Sequence, residues 1–389
     1  MTESFHRYKL IHVRVLALCS FLIFASCSYT QNDGGFTSKG SVNPTDSTSS
    51  EDYFNDGKLD TLAAMSSLFE ADTTLSEVII SNAKDLQHAL ELNLKYLNKK
   101  GSGYASPQRS LRYSYTDLRK VNKQLLLKAD TLDISQFELH KIWGADKMGN
   151  VQFTSYYIPV IEVSKIKDSV YKYPIYKKPG SSYLQRLSRK QIDEQLMLSG
   201  KNLEIAYAKD YFDVYSMQVQ GSGYVAYQDG TRKLFSYGGK NNRSYFSIGK
   251  YLIDAGHIAK ADISMQSIRA WFASNPDSTS LLMKNASYVY FQESFKEPSG
   301  AAGVPLIDFV SIASDFRYLP KGAILLGEVP VLDSEGNFVR HEYRILMVHD
   351  TGGAIKGAGH VDLYAGVGTA AGEYAGRMKH FGRLWMILP

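Results

Sequence analysis

The stretch MVHDTGGAIKGAGHVDLYAG, Met347 to Gly366, carries two aspartates, Asp350 and Asp362, together with five glycines. Glycine has no β-carbon, so the backbone can turn sharply and neighbouring groups can come close to it. The pattern alone favours aspartates that only cap the turns that contain them. The other possibility is that the bare backbone lets a carboxyl group reach a ligand.

The N-terminal residues have the pattern of a secretory leader. Residues 1–26 begin with basic side chains, continue through an apolar run from Val15 to Ala25, and end with small residues before Cys27. The run is short for a membrane span, and the junction resembles a bacterial lipobox, although Phe24 stands where leucine is usual. We expect residues 1–26 to be a signal peptide and Cys27 to carry a lipid, with plain secretion as the alternative. The polar residues that follow, up to about residue 60, indicate a flexible tether.

Composition narrows the chemistry. The chain has two cysteines, Cys19 in the leader and Cys27 at the lipobox, which excludes disulfide, thiolate and cysteine–zinc chemistry from the remaining body. The net charge is +5 and the basic runs are short, so no nucleic-acid-binding surface is indicated. The 27 tyrosines are unusually many, and their flat faces suit sugar rings. The length of the body favours two domains.

Periodicity predicts a mostly β fold with helices at the margins. Apolar residues recur at helical spacing in two early segments, namely Leu86, Ala89, Leu90, Leu94 and Leu97, and then Leu118, Val121 and Leu125. From Val151 onward, aromatic and β-branched runs broken by Gly, Asn and Pro predict strands. Two short helices are predicted between Ser247 and Pro276, and short strands resume from Ala286 to Pro389.

The segment QVQGSG is a candidate ligand site. Gln218 and Gln220 stand two residues apart, which on a strand would place both amides on one face. Gly221, Ser222 and Gly223 follow, and the glycines could let a ligand or another backbone come close. Amides both donate and accept hydrogen bonds, as a polyhydroxyl ligand requires. The alternative, which the pattern alone favours, is a bulge with surface glutamines before a hairpin at Asp229-Gly230.

Two other chemistries fit the opening stretch less well. The triplet Asp350-Thr351-Gly352 is the signature of aspartic proteases, but those enzymes need two such aspartates, so a protease would have to dimerise. A metal site at His349, Asp350 and His360 is disfavoured, because adjacent strand residues point to opposite faces and no further ligand stands at a recognisable spacing. We therefore expect no metal, and we expect both histidines to be surface groups or neighbours of the site.

A series of longer blocks resembles the membrane-bound lytic murein transglycosylase A family. The blocks follow one another from about Val151 to Pro389 and include MQVQGSGYV, YGGKNNRSYFSIGKYLIDAG, SMQSIRAWF, NASYVYF, GAAGVPL, ASDFRYLPKGAILLGEVP, DTGGAIKGAGHVDLYAGVGTAAGEYAG and HFGRLW. Before Val151 the resemblance is limited to the leader and lipobox. One departure is Ser155, which stands where the family usually has glycine and bears on how closely a glycan backbone could approach.

The resemblance implies a discontinuous double-psi β-barrel domain at residues 61–162 and 286–389. A smaller β-domain would be inserted at residues 163–285, with a groove between the two. It also implies that Asp362 is the catalytic acid and that Asp315 and Asp350 tune and orient it. A free aspartate has a pKa of about 3.9, so such an acid needs burial or like charge. The substrate-binding residues would be Thr154, Tyr156, Tyr157, Gln218, Gln220, Gly221, Ser222, Gly223, Gly352, Gly353, Lys356 and Tyr364.

The activity implied is cleavage of the β-1,4 bond between N-acetylmuramic acid and N-acetylglucosamine in peptidoglycan, without water and without a cofactor. Two alternatives stay open: a peptidoglycan hydrolase, which needs a second carboxylate at a set separation, and a non-catalytic glycan-binding wall protein. The expected partners are glycan strands, the membrane through Cys27, and cell-wall synthesis complexes. The expected location is the periplasmic face of the outer membrane, because Ser28 and not aspartate follows Cys27.

Overall fold

The computed structural model describes residues 68–389 except 76–77, 84–85, 108–110, 128–132, 145–148 and 261. The predicted signal peptide, Cys27 and the tether to residue 60 lie outside the described residues. Among the residues that are described, no helix combines the length and the apolar character needed to cross a bilayer.

Strands dominate the described part of the chain. They are β1 (Phe69–Ala71), β2 (Glu138–Ile142), β3 (Val151–Ile158), β4 (Val160–Ser164), β5 (Tyr173–Tyr176), β6 (Glu204–Ala208), β7 (Gly223–Tyr227), β8 (Arg232–Lys240), β9 (Val289–Ser294), β10 (Ser311–Ala313), β11 (Ile324–Leu332), β12 (Phe338–Asp350), β13 (His360–Val367) and β14 (Lys379–Leu388). The prediction of a mostly β fold is confirmed.

The α-helices lie between these strands. They are α1 (Leu86–Asn98), α2 (Tyr115–Leu127), α3 (Ser182–Gln185), α4 (Arg189–Asp193), α5 (Tyr211–Gln220), α6 (Ile248–Asp254), α7 (Met265–Ser274) and α8 (Thr369–Arg377), with 3-10 helices at Ile134–Gln136 and Pro276–Lys284. The four helices predicted from periodicity correspond to α1, α2, α6 and α7. Ser247 caps α6 as predicted, because its side chain accepts from the Lys250 N–H.

Six strands close into a barrel. Hydrogen-bonded neighbours follow the order β14, β11, β12, β10, β13 and β3, and β3 also pairs with β14, which completes the ring. Two of these pairings, β10 with β12 and β13 with β3, are parallel. The ring draws β3 from one part of the chain and the other five strands from another. This is the discontinuous barrel that the family resemblance implied.

The barrel strands are buried on both faces where α1 and α2 cover them. Leu325 and Leu346 belong to the cluster that contains Phe153, whereas their neighbours Leu326 and Ile345 belong to a second apolar cluster. The second cluster is completed by fully buried side chains of the two helices, namely Leu86, Leu90, Val121 and Leu125. Burial on both faces explains why runs such as ILL and LWMIL are continuously apolar.

A second sheet lies between β3 and the rest of the barrel in the sequence. Its six strands follow the order β5, β6, β4, β7, β8 and β9. Pro159 alone separates β3 from β4, and its carbonyl accepts from the Tyr224 N–H. The chain therefore passes from the barrel to this sheet within one residue. The predicted hairpin at Asp229-Gly230 joins β7 to β8 and is confirmed.

Two elements differ from the prediction. The residues DVYSMQVQ were expected to be a strand, but they belong to α5, which begins at the cap Asp210 and ends at Gly221 with a left-handed φ of 86°. The alternation Met-Gln-Val-Gln imitates a strand, while the Asp cap and the terminal Gly were the helix signals. Helix α8 was also missed, because Gly372 and Gly376 disfavour helix. There a β-carbon would collide with Tyr157 and Gln266 respectively.

Candidate active site

Asp362 lies on β13, between two strands that bring other polar residues to it. In the parallel pairing it stands opposite Thr154 of β3, and in the antiparallel pairing it stands opposite Ala313 of β10. Ala313 also pairs with Asp350 at the end of β12, across a β-bulge. The two aspartates of the opening stretch therefore flank one short strand, with roughly 10 Å between their backbones.

One hydroxyl group holds the Asp362 carboxyl group. Thr154 Oγ1 donates to Asp362 Oδ1 at 2.7 Å and also lies 2.8 Å from His360 Nε2. Burial raises the pKa of Asp362 to about 7, the Thr154 hydrogen bond opposes this shift, and the charge of Asp350 adds to it. The residue keeps partial access to solvent. At neutral pH, both the protonated and the ionised forms of Asp362 are therefore populated, which suits a group that must first give and then take a proton.

Asp350 has a different environment. Its Oδ1 accepts from the backbone N–H groups of Ala301 and Thr351, both at 2.8 Å, and its Oδ2 accepts from the Tyr156 hydroxyl at 3.1 Å. Burial raises the pKa of Asp350, while the three donors and the Lys321 charge lower it. Donors to a carboxylate favour its ionised form. Of the two acids, Asp362 has the single donor, so its carboxyl group is the less stabilised of the two in the ionised form.

Asp315 acts on a loop and not on Asp362. Its Oδ2 accepts from Arg317 Nη2 at 2.7 Å and from the Gly357 N–H at 3.0 Å. The hydrogen bonds from Arg317 and Gly357 outweigh burial and lower the pKa of Asp315. Gly357 belongs to the loop at residues 351–359 that connects the other two aspartates. The expectation that Asp315 raises the proton affinity of Asp362 is therefore not supported, since the shift of Asp362 comes from its burial and from Asp350.

The two histidines are neutral neighbours of the acids. His349 is fully buried with Nδ1 at 2.8 Å from Ser311 Oγ, and burial lowers its pKa to about 3. Of the two positions expected for the histidines, His349 therefore has the one beside the site and not the one at the surface. Burial lowers the pKa of His360 to about 4. Among the side chains that the structure describes, no group of three or more His, Cys, Asp or Glu residues is arranged to hold a metal ion.

The glutamine segment is built differently from the prediction. Because Gln218 and Gln220 lie on helix α5, their side chains do not share a face; Gln218 is buried, and Gln220 Oε1 accepts from the Tyr157 N–H at 3.2 Å. Gly221 ends the helix and has open space beside it, and Ser222 is partly exposed. A β-carbon on Gly223 would lie 2.5 Å from the Met217 side chain, so a larger residue there would force Met217 to move. Gln220 thus joins α5 to β3, beside the acid-bearing strands.

The tyrosines predicted to bind substrate have unequal access. Tyr364 is only 2% exposed, and its ring lies 5.3 Å from that of Tyr156. It therefore offers no free face to a sugar ring. Tyr156 is partly exposed and uses its hydroxyl on Asp350. Tyr157 is partly exposed and packs against Gly372 of α8. Of these three, Tyr157 has the ring that stays accessible without serving another group of the site.

The loop at residues 351–359 carries the remaining predicted residues. Lys356 and Gly353 are exposed, whereas Gly352 packs against Ile355, where a β-carbon would come within 2.9 Å. Thr351 Oγ1 donates to the Ser314 carbonyl at 2.7 Å, which fixes the start of the loop. Together with the Asp315 contact to Gly357, this fixes both ends of a loop with an exposed cationic tip.

Two residues that contact the acids or their partners were not predicted from the sequence as site residues. His360 precedes Asp362 by two positions on one strand, so the two side chains share a face, and the period of two was a usable signal. Ala301 reaches Asp350 from 49 positions away through a backbone N–H, and no side-chain pattern could have indicated that.

Two family models match this chain. One is described as the MltA specific insert domain and matches residues 152–292, and the other is described as the 3D domain and matches residues 310–388. The second match contains all three aspartates.

Curated relatives and solved structures agree with these matches. The chain is 41% identical over 292 residues to the membrane-bound lytic murein transglycosylase A of Vibrio cholerae, which covers 73% of this chain and 78% of that protein. It is 42% identical over 274 residues to the Escherichia coli K12 protein of the same name, covering 69% and 74%. A crystal structure of E. coli MltA with bound chitohexaose superposes with a TM-score of 0.71 at 34% identity, covering 86% of this chain and 96% of that one. The transglycosylase from Agrobacterium tumefaciens superposes with a TM-score of 0.67 at 26% identity, covering 80% and 95%.

Proposed function

This chain belongs to the membrane-bound lytic murein transglycosylase A family and is a peptidoglycan lytic transglycosylase, and from that premise we propose that Asp362 alone serves as acid and then as base. The observation that carries the proposal is the contrast between the acids. Asp362 has one donor and a pKa of about 7, whereas Asp350 has three donors.

In the first step, protonated Asp362 gives its proton to the oxygen that bridges N-acetylmuramic acid and N-acetylglucosamine. The bond between C1 of the muramic acid and that oxygen breaks, and its electron pair leaves with the oxygen as a free hydroxyl group. Positive charge develops at C1. The ionised Asp350 lies close enough to shift the pKa of Asp362 and therefore contributes negative potential to the same region.

In the second step, the Asp362 carboxylate takes the proton from the C6 hydroxyl group of the same muramic acid. The C6 oxygen attacks C1 and closes a 1,6-anhydro ring, and Asp362 regains its proton. The nucleophile belongs to the substrate itself, so a high effective concentration replaces a bound water and a second carboxylate. No cofactor enters this reaction.

The assignment of the other residues follows from their contacts. We assign the barrel catalytic domain to residues 61–162 and 286–389 and the inserted domain to residues 163–285, with the glycan in a groove that contains Asp362. The bound chitohexaose of the E. coli relative supports binding of a glycan strand. Tyr157, Gly353 and Lys356 are accessible and remain candidate substrate contacts.

The name that the relatives share supports membrane association of this chain. We propose that the attachment is a lipid on Cys27, which would hold the enzyme on the periplasmic face of the outer membrane. Cell-wall synthesis complexes remain proposed partners.

Product analysis tests the mechanism. Purified protein is incubated with murein sacculi in water labelled with heavy oxygen, and the released muropeptides are weighed by mass spectrometry. We expect anhydro ends, lighter than hydrolytic ends by one water, and no label at C1. Asp362→Asn keeps the shape of the side chain but cannot carry the proton, so it should bind glycan and lose nearly all turnover. Asp229→Asn, in the exposed hairpin turn, is the matched control.

The outcomes separate the candidate functions. Labelled reducing ends would identify a hydrolase, and a wild-type protein that binds sacculi without releasing fragments would identify a binding protein. Normal cleavage by the Asp362→Asn variant would show that another residue carries the proton.

A further inference from the structure

We propose that His360 and Thr154 form a hydrogen-bond relay that fixes which oxygen of Asp362 carries the catalytic proton. This inference rests on the proposed role of Asp362. The carrying observation is one hydroxyl group between two partners, with Thr154 Oγ1 2.8 Å from His360 Nε2 and 2.7 Å from Asp362 Oδ1. His360 and Asp362 share a face of β13, and Thr154 stands opposite Asp362 on β3. The strand register therefore builds the relay.

The relay has one direction. A threonine hydroxyl group has a single hydrogen, and the geometry gives that hydrogen to Asp362 Oδ1. The contact with His360 must then be donated by the imidazole, so His360 carries its proton on Nε2. A neutral imidazole has one protonated nitrogen, and a protonated Nε2 cannot accept. With Nε2 protonated, His360 offers Thr154 no acceptor. The acceptors left for the hydroxyl hydrogen are Asp362 Oδ1 at 2.7 Å and the Val361 carbonyl at 3.5 Å, and Oδ1 is the nearer of the two.

This direction suits both charge states of Asp362. When Asp362 is an acid, Oδ1 is its carbonyl oxygen and Oδ2 bears the proton. When Asp362 is a base, Oδ1 is half of the carboxylate and still accepts from Thr154. The carboxyl group therefore keeps one orientation through both steps, and Oδ2 gives and takes the proton. The family resemblance implied that Thr154 binds the sugar. On this account Thr154 is instead a positioning residue that acts through Asp362.

Other ionisable groups face the same region and would influence a pH profile. Asp350 approaches from β12, and Tyr156 lies on β3. Lys379 on β14 stands in register with Thr154, and Tyr364 lies on β13 beyond Asp362. These groups are common to every variant below, so differences between variants report the relay itself.

Removing the Thr154 hydroxyl group tests the relay. Thr154→Val nearly preserves the side-chain shape, and valine suits a strand. The variant loses a donor that favours the ionised form of Asp362, so the falling limb of kcat/KM should move upward by roughly one pH unit. The kcat at the optimum should fall roughly tenfold, the worth of one hydrogen bond to a charged group. Thr154→Ser restores the hydroxyl group and should restore both values.

A matched control removes the neighbouring hydroxyl group. Ser155 donates to the Leu363 carbonyl at 2.6 Å and does not contact Asp362. The Ser155→Ala variant should keep the pH limb of the parent protein. A shift of the same size in Ser155→Ala would mean that disturbance of β3, and not loss of the relay, moves the profile.

Nitrogen NMR of the wild-type protein gives a readout that needs no turnover. With histidine labelled at both ring nitrogens, His360 should show the Nε2–H tautomer and no titration above about pH 5, consistent with its lowered pKa. His360→Gln keeps an N–H donor and should retain most activity. His360→Leu keeps the Thr154 donor but loses the group that holds it, so kcat should fall while the pH limb moves less than in Thr154→Val.

Two results would overturn the relay while leaving the proposed function intact. The first is a His360 resonance with its proton on Nδ1. The second is a Thr154→Val profile identical to that of the wild type, while Asp362→Asn is inactive. Normal turnover by Asp362→Asn would instead refute the proposed function, so the two failures are distinguishable.

Discussion

At the scale of single residues, the three aspartates show how donor count sets charge. Asp315 accepts hydrogen bonds from Arg317 and Gly357, and its pKa is lowered. Asp362 accepts one hydrogen bond from the Thr154 hydroxyl group, and its pKa is about 7. Burial raises the pKa of Asp350, and three donors oppose that shift. The three aspartates therefore differ in proton affinity, and Asp362 is the one that can give and take a proton at neutral pH.

The raised pKa of Asp362 predicts a cost to stability at higher pH. The folded state holds the proton more tightly than the unfolded state, so stability falls as pH rises from about 4 to about 7 and then levels off. Asp362→Asn removes the titration and should therefore raise the melting temperature at pH 8 by several degrees, with much less effect at pH 4. The full shift corresponds to at most about 4 kcal/mol. Thermal unfolding at both pH values measures this.

The same residue carries a prediction for activity. Because catalysis begins with protonated Asp362, kcat/KM should fall tenfold per pH unit above about pH 7. A rate that keeps rising to pH 9 on a fixed soluble substrate would mean that the reacting acid titrates elsewhere.

The sequence indicated the acids better than their partners. The resemblance selected Asp315, Asp350 and Asp362, and the structure brings Asp350 and Asp362 to either side of one strand. It did not indicate that Asp315 binds a loop, because Gly357 contributes a backbone N–H that has no signature in sequence. Contacts made by backbone groups and by strand register depend on the closed fold.

At the scale of elements, helix α5 connects the second sheet to the barrel. Its last residue, Gln220, accepts from the Tyr157 N–H at the end of β3, and Asp210 caps its start. The sequence pattern predicted a strand here because the four residues Met217 to Gln220 alternate between apolar and polar. The Asp210 cap and the terminal Gly221 were the signals of a helix. Tertiary burial allows this helix to be apolar on most sides.

Gln220→Ala should weaken glycan binding more than folding. The change removes one hydrogen bond at a partly exposed position, worth about 1 kcal/mol, so the melting temperature should fall by only a few degrees. If Gln220 holds the end of β3 in place for the glycan, the affinity for chitohexaose should fall several-fold in isothermal titration. Gln124→Ala, on the exposed side of α2, is the control. A large loss of stability with unchanged affinity would assign Gln220 to packing alone.

At the scale of the whole molecule, the barrel is assembled from distant parts of the chain. The β class and four of the helices could be predicted from periodicity, but the ring order of the six strands could not, because five of the six neighbour pairs join strands that are not consecutive in sequence. The family resemblance supplied that architecture. Register then decides which residues face Asp362, and that became visible only in three dimensions.

Anchoring is a property of the whole molecule that lies outside the described residues. Because Cys27 is the cysteine that remains after the predicted leader is removed, Cys27→Ala should release the protein into the soluble fraction and abolish labelling with fatty acid. Cell fractionation with labelled palmitate checks both, and Cys19→Ala, within the leader, is the control. Unchanged sedimentation with membranes would refute lipid attachment at Cys27.

The strand that closes the barrel, β14, is the last of the described strands along the chain, so the active site can form only late in folding. Strand β14 pairs with β2, β3 and β11, and it holds the edge of β3 that carries Thr154. Strand β14 is synthesised after every other described strand, so the barrel cannot close before β14 has left the ribosome. Emerging chains should consequently be unable to cut glycan, and competence should arrive in a single late event. A protease that removed β14 would return the enzyme to that inactive condition.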